Sequence, residues 1–192
     1  MKRKVMLCYV LTVLMLLLVA CSTTNSTSEN KNGAIKEVMI GETVTIGEWE
    51  VKVEGFNTTK VLRHSQFAVR NASDDEAFFA CKISAKNLGT ADAVFLPFIT
   101  DSPFVKEKTV GIEVKLIYND KYEYIPDYGT MMYTIFSATV APLKTETENL
   151  YFDIPAEAAE ANIPLVLQLS FEGEVYKWSG VPVAVEVIDD GL

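Results

Sequence analysis

Histidine is nearly absent: His64 is the only one in 192 residues. A Ser–His–Asp triad would have to be built on that side chain, and no Gly-x-Ser-x-Gly elbow occurs among the ten glycines. Cysteine is scarce as well, at three residues. Cys8 and Cys21 belong to an apolar N-terminal run and its end, so a folded body beyond them holds Cys81 alone and forms no internal disulfide. With only His64 and Cys81 to draw on, a zinc site of the usual His and Cys ligands is not expected. Basic residues are outnumbered, 17 Lys and Arg against 26 Asp and Glu, for a net charge of −9. Phosphate neutralisation needs a surplus of cations, so a nucleic-acid partner is not expected either. Seven prolines and ten glycines are too few for a collagen-like or proline-rich chain.

What is present begins with an address. Met1-Lys2-Arg3-Lys4 is a basic start, and Val5 to Ala20 is apolar except for Thr12 and Tyr9. Such a pairing is the mark of an export signal. Sixteen helical residues at about 1.5 Å each span roughly 24 Å, short of the ~30 Å hydrocarbon layer. Length therefore disfavours a permanent membrane span. Leu18-Val19-Ala20-Cys21 looks like the lipobox of bacterial lipoproteins, which is cut before its Cys. That resemblance implies a diacylglyceryl group on the Cys21 thiol. Two or three acyl chains hold a protein on a bilayer where one lets it escape.

Ser22 to Gly33 contains no apolar side chain, so it buries too little to offset its ordering entropy. Its typical reach is roughly 19 Å for a flexible chain of twelve residues. Removing residues 1–20 takes three positive charges from −9 and leaves −12. An acidic body is repelled by anionic lipid, which suits a tethered domain better than one lying on the bilayer. The expected organisation is a signal peptide over 1–20, a linker over 21–36 and one domain over 37–190.

In that domain the apolar residues recur every second position. Trp49, Val51 and Val53 share a face against Glu50, Lys52 and Glu54, with Gly55 as punctuation. Phe79, Cys81, Ile83 and Ala85 form a second stripe against Lys82, Ser84 and Lys86. Further stripes run through Ile112–Tyr118, Leu150–Ile154, Ile163–Phe171, Val175–Trp178 and Val181–Val187, and Tyr122–Ile125 follows an Asn119-Asp120 turn. Period two is the signature of half-buried strands. Only Ala156–Ala161 has helical composition, enough for one or two turns between Pro155 and Pro164. The expectation is an all-β chain, an immunoglobulin-like antiparallel β-sandwich of seven to nine strands.

The run Ile40-Gly41-Glu42-Thr43-Val44, then Val51 and Val53, then Ile83 to Gly89, is similar to a bacterial family of unknown function. Its members are often lipoproteins with a telokin-like, immunoglobulin-type domain. Ala141-Pro142-Leu143-Lys144 and Phe152-Asp153-Ile154-Pro155 resemble its later turn and strand end. The similarity spans roughly residues 38 to 178 and implies no catalytic residues.

The remaining side chains read as structural. His64 beside Arg63 is expected in a solvated loop, and Cys81 as a small core hydrophobe. Asp74-Asp75-Glu76 and Asp189-Asp190 lack the spacing of a calcium loop and read as turn acids. Five of the eight tyrosines, Tyr118, Tyr122, Tyr124, Tyr128 and Tyr133, crowd into one stretch with Met131, Met132 and Phe136. Such residues suit an interaction surface or a homo-oligomer contact, or else they cover a sheet edge. The function expected is a lipid-anchored, extracytoplasmic, non-catalytic binding module without cofactor. Its partner is an unidentified extracytoplasmic protein or a cell-wall polymer. A carboxylate-based hydrolase and a structural homo-oligomeric lipoprotein are the alternatives.

Overall fold

The computed structural model describes residues 34–65, 68–96, 111–127 and 139–189, all within a compact unit spanning Gly33–Leu192. Thirteen strands are present there: β1 (Ile35–Val38), β2 (Thr43–Ile46), β3 (Trp49–Thr59), β4 (Val61–Ser65), β5 (Ala68–Asn71), β6 (Glu76–Asn87), β7 (Glu113–Tyr118), β8 (Tyr122–Tyr124), β9 (Thr145–Pro155), β10 (Leu165–Phe171), β11 (Glu174–Gly180), β12 (Val183–Ala184) and β13 (Ile188–Asp189). One short helix, α1 (Ala156–Glu160), follows β9 where Pro155 stops the strand. No described helix is long and apolar enough to cross a membrane.

The strands form two five-stranded sheets and a smaller third one. The first runs β1-β11-β10-β7-β8, and the second runs β12-β3-β6-β9 with β2 also paired to β3. Between them lies the main core, in which Trp178, Phe79, Phe152, Ile83, Leu116 and Leu167 have no exposed surface. The alternating stripes of the sequence supply those inward side chains, because successive residues of a strand point to opposite faces. Long antiparallel ladders hold β6 between β3 and β9. The β-sandwich is as expected.

Several particulars differ. Strands exceed the expected seven to nine because short edge pieces such as β12 and β13 have too few residues to show alternation. Three edge pairings are parallel: β1 with β11, β12 with β3, and β13 with β4. β1 includes Ile35 and Lys36, the last two residues of the stretch read as linker. β3 does not end at Gly55. A bulge between Val53 and Gly55 takes up one extra residue and returns Phe56 and Thr58 to the buried face. The Val181–Val187 stripe is no core strand, with Val181 and Val183 mostly exposed. His64 belongs to β4 and not to a loop.

The third sheet, β13-β4-β5, adds a layer that alternation did not foretell. A second core of Leu62, Phe78, Ala80, Tyr151 and Ile188 lies beneath it. Ala77 to Cys81 is consequently buried on both faces of β6. A strand covered on both sides reads as a continuous apolar run, and Phe78-Phe79-Ala80-Cys81 is one.

The body has two distinct ends. Ala34 and Ile35, the β10–β11 turn and the Gly47-Glu48 turn mark one, where Phe171 packs on Gly47. At the other are α1, the Asn119-Asp120 turn, and Ile40 packed on Gly180.

Candidate functional site

The tyrosine-rich stretch begins in the β7–β8 hairpin. Asn119 and Asp120 both take positive φ, 52° each, the backbone a tight hairpin turn requires of its central residues. Pairing then sets Tyr118 opposite Tyr122 and Leu116 opposite Tyr124. The Tyr118 and Tyr122 rings stack with centroids 6.2 Å apart. Tyr118 is buried, Tyr122 is 46% exposed, and Tyr124 is half-buried against the core. Lys121 Nζ stands 4.9 Å from the Tyr122 ring centre. Burial pushes the Tyr124 hydroxyl above its ordinary pKa, with Tyr118, Tyr122 and Glu157 acting the same way. The structure thus gathers three of the five tyrosines, and Tyr122 is the one displayed. Tyr128 and Tyr133 lie outside the described residues, as does Cys21.

Cys81 is wholly buried, and desolvation raises its thiol well above the ordinary range, which makes it inert at neutral pH. Two acids meet on one cation. Arg70 binds both Asp127 and Asp153, the latter at 2.7 Å, and its guanidinium lies over the Phe78 ring. Burial raises the Asp153 carboxyl, and the Arg70 hydrogen bond opposes that shift. Asp189 pairs with Arg63 at 3.6 Å. At the Asp74-Asp75-Glu76 turn, Ser73 Oγ donates to Asp75 and Glu76. Among the described residues no three His, Cys, Asp or Glu side chains group as a metal site.

One feature had no signal in the sequence. An open cavity of about 360 Å³ lies at the α1 end, between that helix, the end of β3 and the β12 segment. Alanines 77, 156, 159 and 184 form its walls. Thr58 lines it as well, although only 4% of that residue is exposed. By strand parity its side chain shares the Phe56 face, and its hydroxyl has no hydrogen-bond partner among the described residues. Glu160 and Lys60 stand at the rim. The Lys60 ammonium donates to the backbone carbonyls of Ser73, at 3.2 Å, Asp74, at 2.9 Å, and Glu76. The residues involved are distant in sequence and individually ordinary, so only the packing of α1 over the strand ends brings them together.

No family model matches the chain, and no curated protein matches it. Two solved structures share its fold. An uncharacterized β-sandwich protein from Clostridium difficile 630 aligns at a TM-score of 0.56 and 18% identity, over 77% of this chain and 95% of that one. A conserved hypothetical protein from Bacillus anthracis aligns at a TM-score of 0.50 and 12% identity, over 73% and 93% of the two chains. At such identities the likeness extends to the β-sandwich and no further.

Proposed function

We propose that this chain is a lipid-anchored, extracytoplasmic β-sandwich that binds a protein or a cell-wall polymer and catalyses nothing. The observation that carries the reading is the N-terminal order of features. A basic start, sixteen largely apolar residues, Leu18-Val19-Ala20-Cys21 and a tether without apolar side chains stand directly before a folded β-body. The disposition of the body supports it. The chain enters β1 at one end, whereas the Tyr122 hairpin turn and the alanine-walled cavity occupy the other. Exposed Tyr122 and the open cavity give a partner surfaces to contact. Binding rather than catalysis is favoured because Arg70 is bound between Asp127 and Asp153, and no three His, Cys, Asp or Glu side chains group as a metal site among the described residues.

The reading is tested in a bacterial host grown with an alkyne-labelled fatty acid. The full chain is expected to take up label, to sediment with membranes, and to lose both properties when Cys21 is changed to Ala. An unlabelled Cys21, or an unprocessed N-terminus on the membrane-bound protein, would overturn the anchor. The binding role is read separately by crosslinking on intact membranes. Tyr122→Ser with Tyr124→Ser is expected to remove a crosslinked partner band while leaving the circular dichroism unchanged.

A further inference from the structure

We infer that the cavity beneath α1 is a binding site for a short aliphatic amine. Such a ligand would carry its ammonium at the rim and a hydrogen-bonding group at its inner end. The inference rests on the binding reading above and names a ligand class for it, but it does not depend on the lipid anchor.

The chemistry of the lining selects that class. A cavity of about 360 Å³ is at the small end of ligand pockets, which run ~300–1,000 Å³. Four alanine methyl groups offer apolar contact and no hydrogen bond, so the middle of the ligand is aliphatic. Thr58 is nearly fully buried and lines the cavity, and its hydroxyl offers a ligand both a donor and an acceptor. The inner end of the ligand is therefore polar and neutral.

The rim decides the sign of charge. Glu160 makes no ion pair among the described residues, so its carboxylate is open to a cation. Lys60 is the neighbouring cation, yet all three of its N–H donors are taken up by the carbonyls of Ser73, Asp74 and Glu76. An incoming anion would have to break one of those bonds and would also face Glu160. The approach is acidic besides: the Ala156 N–H at the start of α1 donates to the Asp75 carbonyl, bringing the Asp74-Asp75-Glu76 turn beside the helix. Clustered carboxylates concentrate cations and exclude anions.

Isothermal titration of the full chain, purified in detergent, against three probes of matched length tests the assignment. The probes are 5-aminopentanol, pentane-1,5-diol and 5-hydroxypentanoate. The amine is expected to bind at least about tenfold more tightly than the neutral diol, and the carboxylate not to bind. Glu160→Gln should reduce the amine's affinity about tenfold and bring it close to that of the diol. Thr58→Val keeps the side-chain shape and should weaken 5-aminopentanol several-fold, while leaving 1-aminopentane, which lacks the hydroxyl, unchanged. Ala159→Leu fills the cavity and should abolish binding. Circular dichroism establishes that each variant is folded, and Glu160→Gln, on the surface, keeps the test informative if Thr58→Val is not. Equal binding of the three probes, or full affinity in Glu160→Gln or Ala159→Leu, would overturn the inference. Either result would leave fatty-acid labelling of Cys21 untouched, so failure here is distinguishable from failure of the anchored-module reading.

Discussion

Tyr176 shows how much one side chain organises in a small sandwich. Its ring stacks on buried Trp178 at 6.4 Å, and its hydroxyl donates to Glu174 at 2.6 Å and to the Thr45 carbonyl at 3.1 Å. Lys36 of β1 reaches the same group, donating to Glu174 at 2.9 Å and lying over the Tyr176 ring. The first edge strand is thereby clipped to β11. Hydrogen bonds from Tyr176 and then Lys36 hold the Glu174 carboxyl below its ordinary value of 4.5. A carboxyl whose pKa is lower when folded adds stability above its unfolded value and loses it as pH falls through the folded one. Glu174→Gln is accordingly expected to lower the melting temperature at neutral pH. The deficit should shrink below 4.5 and vanish in stronger acid, as read from melting curves across an acid pH series. Cys81 behaves in the opposite sense, since burial disfavours its thiolate. In a chain beginning at Gly33 its reaction with a thiol reagent should be negligible until denaturant opens the core, at which point one equivalent reacts.

Turns and bulges govern the elements more than the strands do. Gly47, in the β2–β3 turn, has φ +57°, and a Cβ there would meet the Phe171 ring at 2.7 Å. Gly55, at the β3 bulge, has open space around the same position. Gly47→Ala should therefore cost about 1–2 kcal/mol for the left-handed backbone alone, and more for the displaced ring. Gly55→Ala should be neutral or stabilising by up to about 1 kcal/mol through the unfolded chain. Urea denaturation of the two variants checks the contrast, and a Gly47→Ala protein as stable as Gly55→Ala would refute it. Gly55 also explains a misreading of the strand. Glycine after alternating residues marks a strand end as readily as a bulge, and only the continued pairing of Phe56 to Thr59 with β6 separates the two. The Val181–Val187 stripe misled for a related reason: β-branched alternation favours extended backbone, whether or not a sheet face is there to bury it.

At the scale of the molecule, the double burial of β6 is the decisive feature. Its Phe79 and Ile83 face the first sheet, while Phe78 and Ala80 face the third. Ile83→Ala should cost roughly 2–5 kcal/mol, as expected for truncation in a fully packed core. Truncation of Phe78, in the second core with Leu62, Ala80, Tyr151 and Ile188, should cost roughly 3–5 kcal/mol. It should also loosen β4, β5 and β13 first, seen as faster amide exchange in Val61–Asn71 than in β10 and β11. Uniform loss of protection over all three sheets would argue against a separable third layer. The cavity and the Tyr122 turn occupy the end of the body opposite the start of β1.

The amino-acid order by itself determined the β class and most inward-facing residues, and it alone carries the N-terminal run from which export is proposed. Each is encoded locally, as a two-residue period or as a contiguous run, and needs no distant partner to be read. The helix over Ala156–Glu160 was likewise legible, because prolines bound an alanine-rich segment. The three parallel edge pairings, the third sheet and the cavity were decided only by tertiary structure. Each depends on segments far apart in the chain, such as Leu62 with Ile188 or Thr58 with Ala159, whose meeting is set by how sheets stack. The same holds for the tyrosines. Their crowding in the sequence drew notice, but register and burial chose Tyr122 for display and placed Tyr118 in the core.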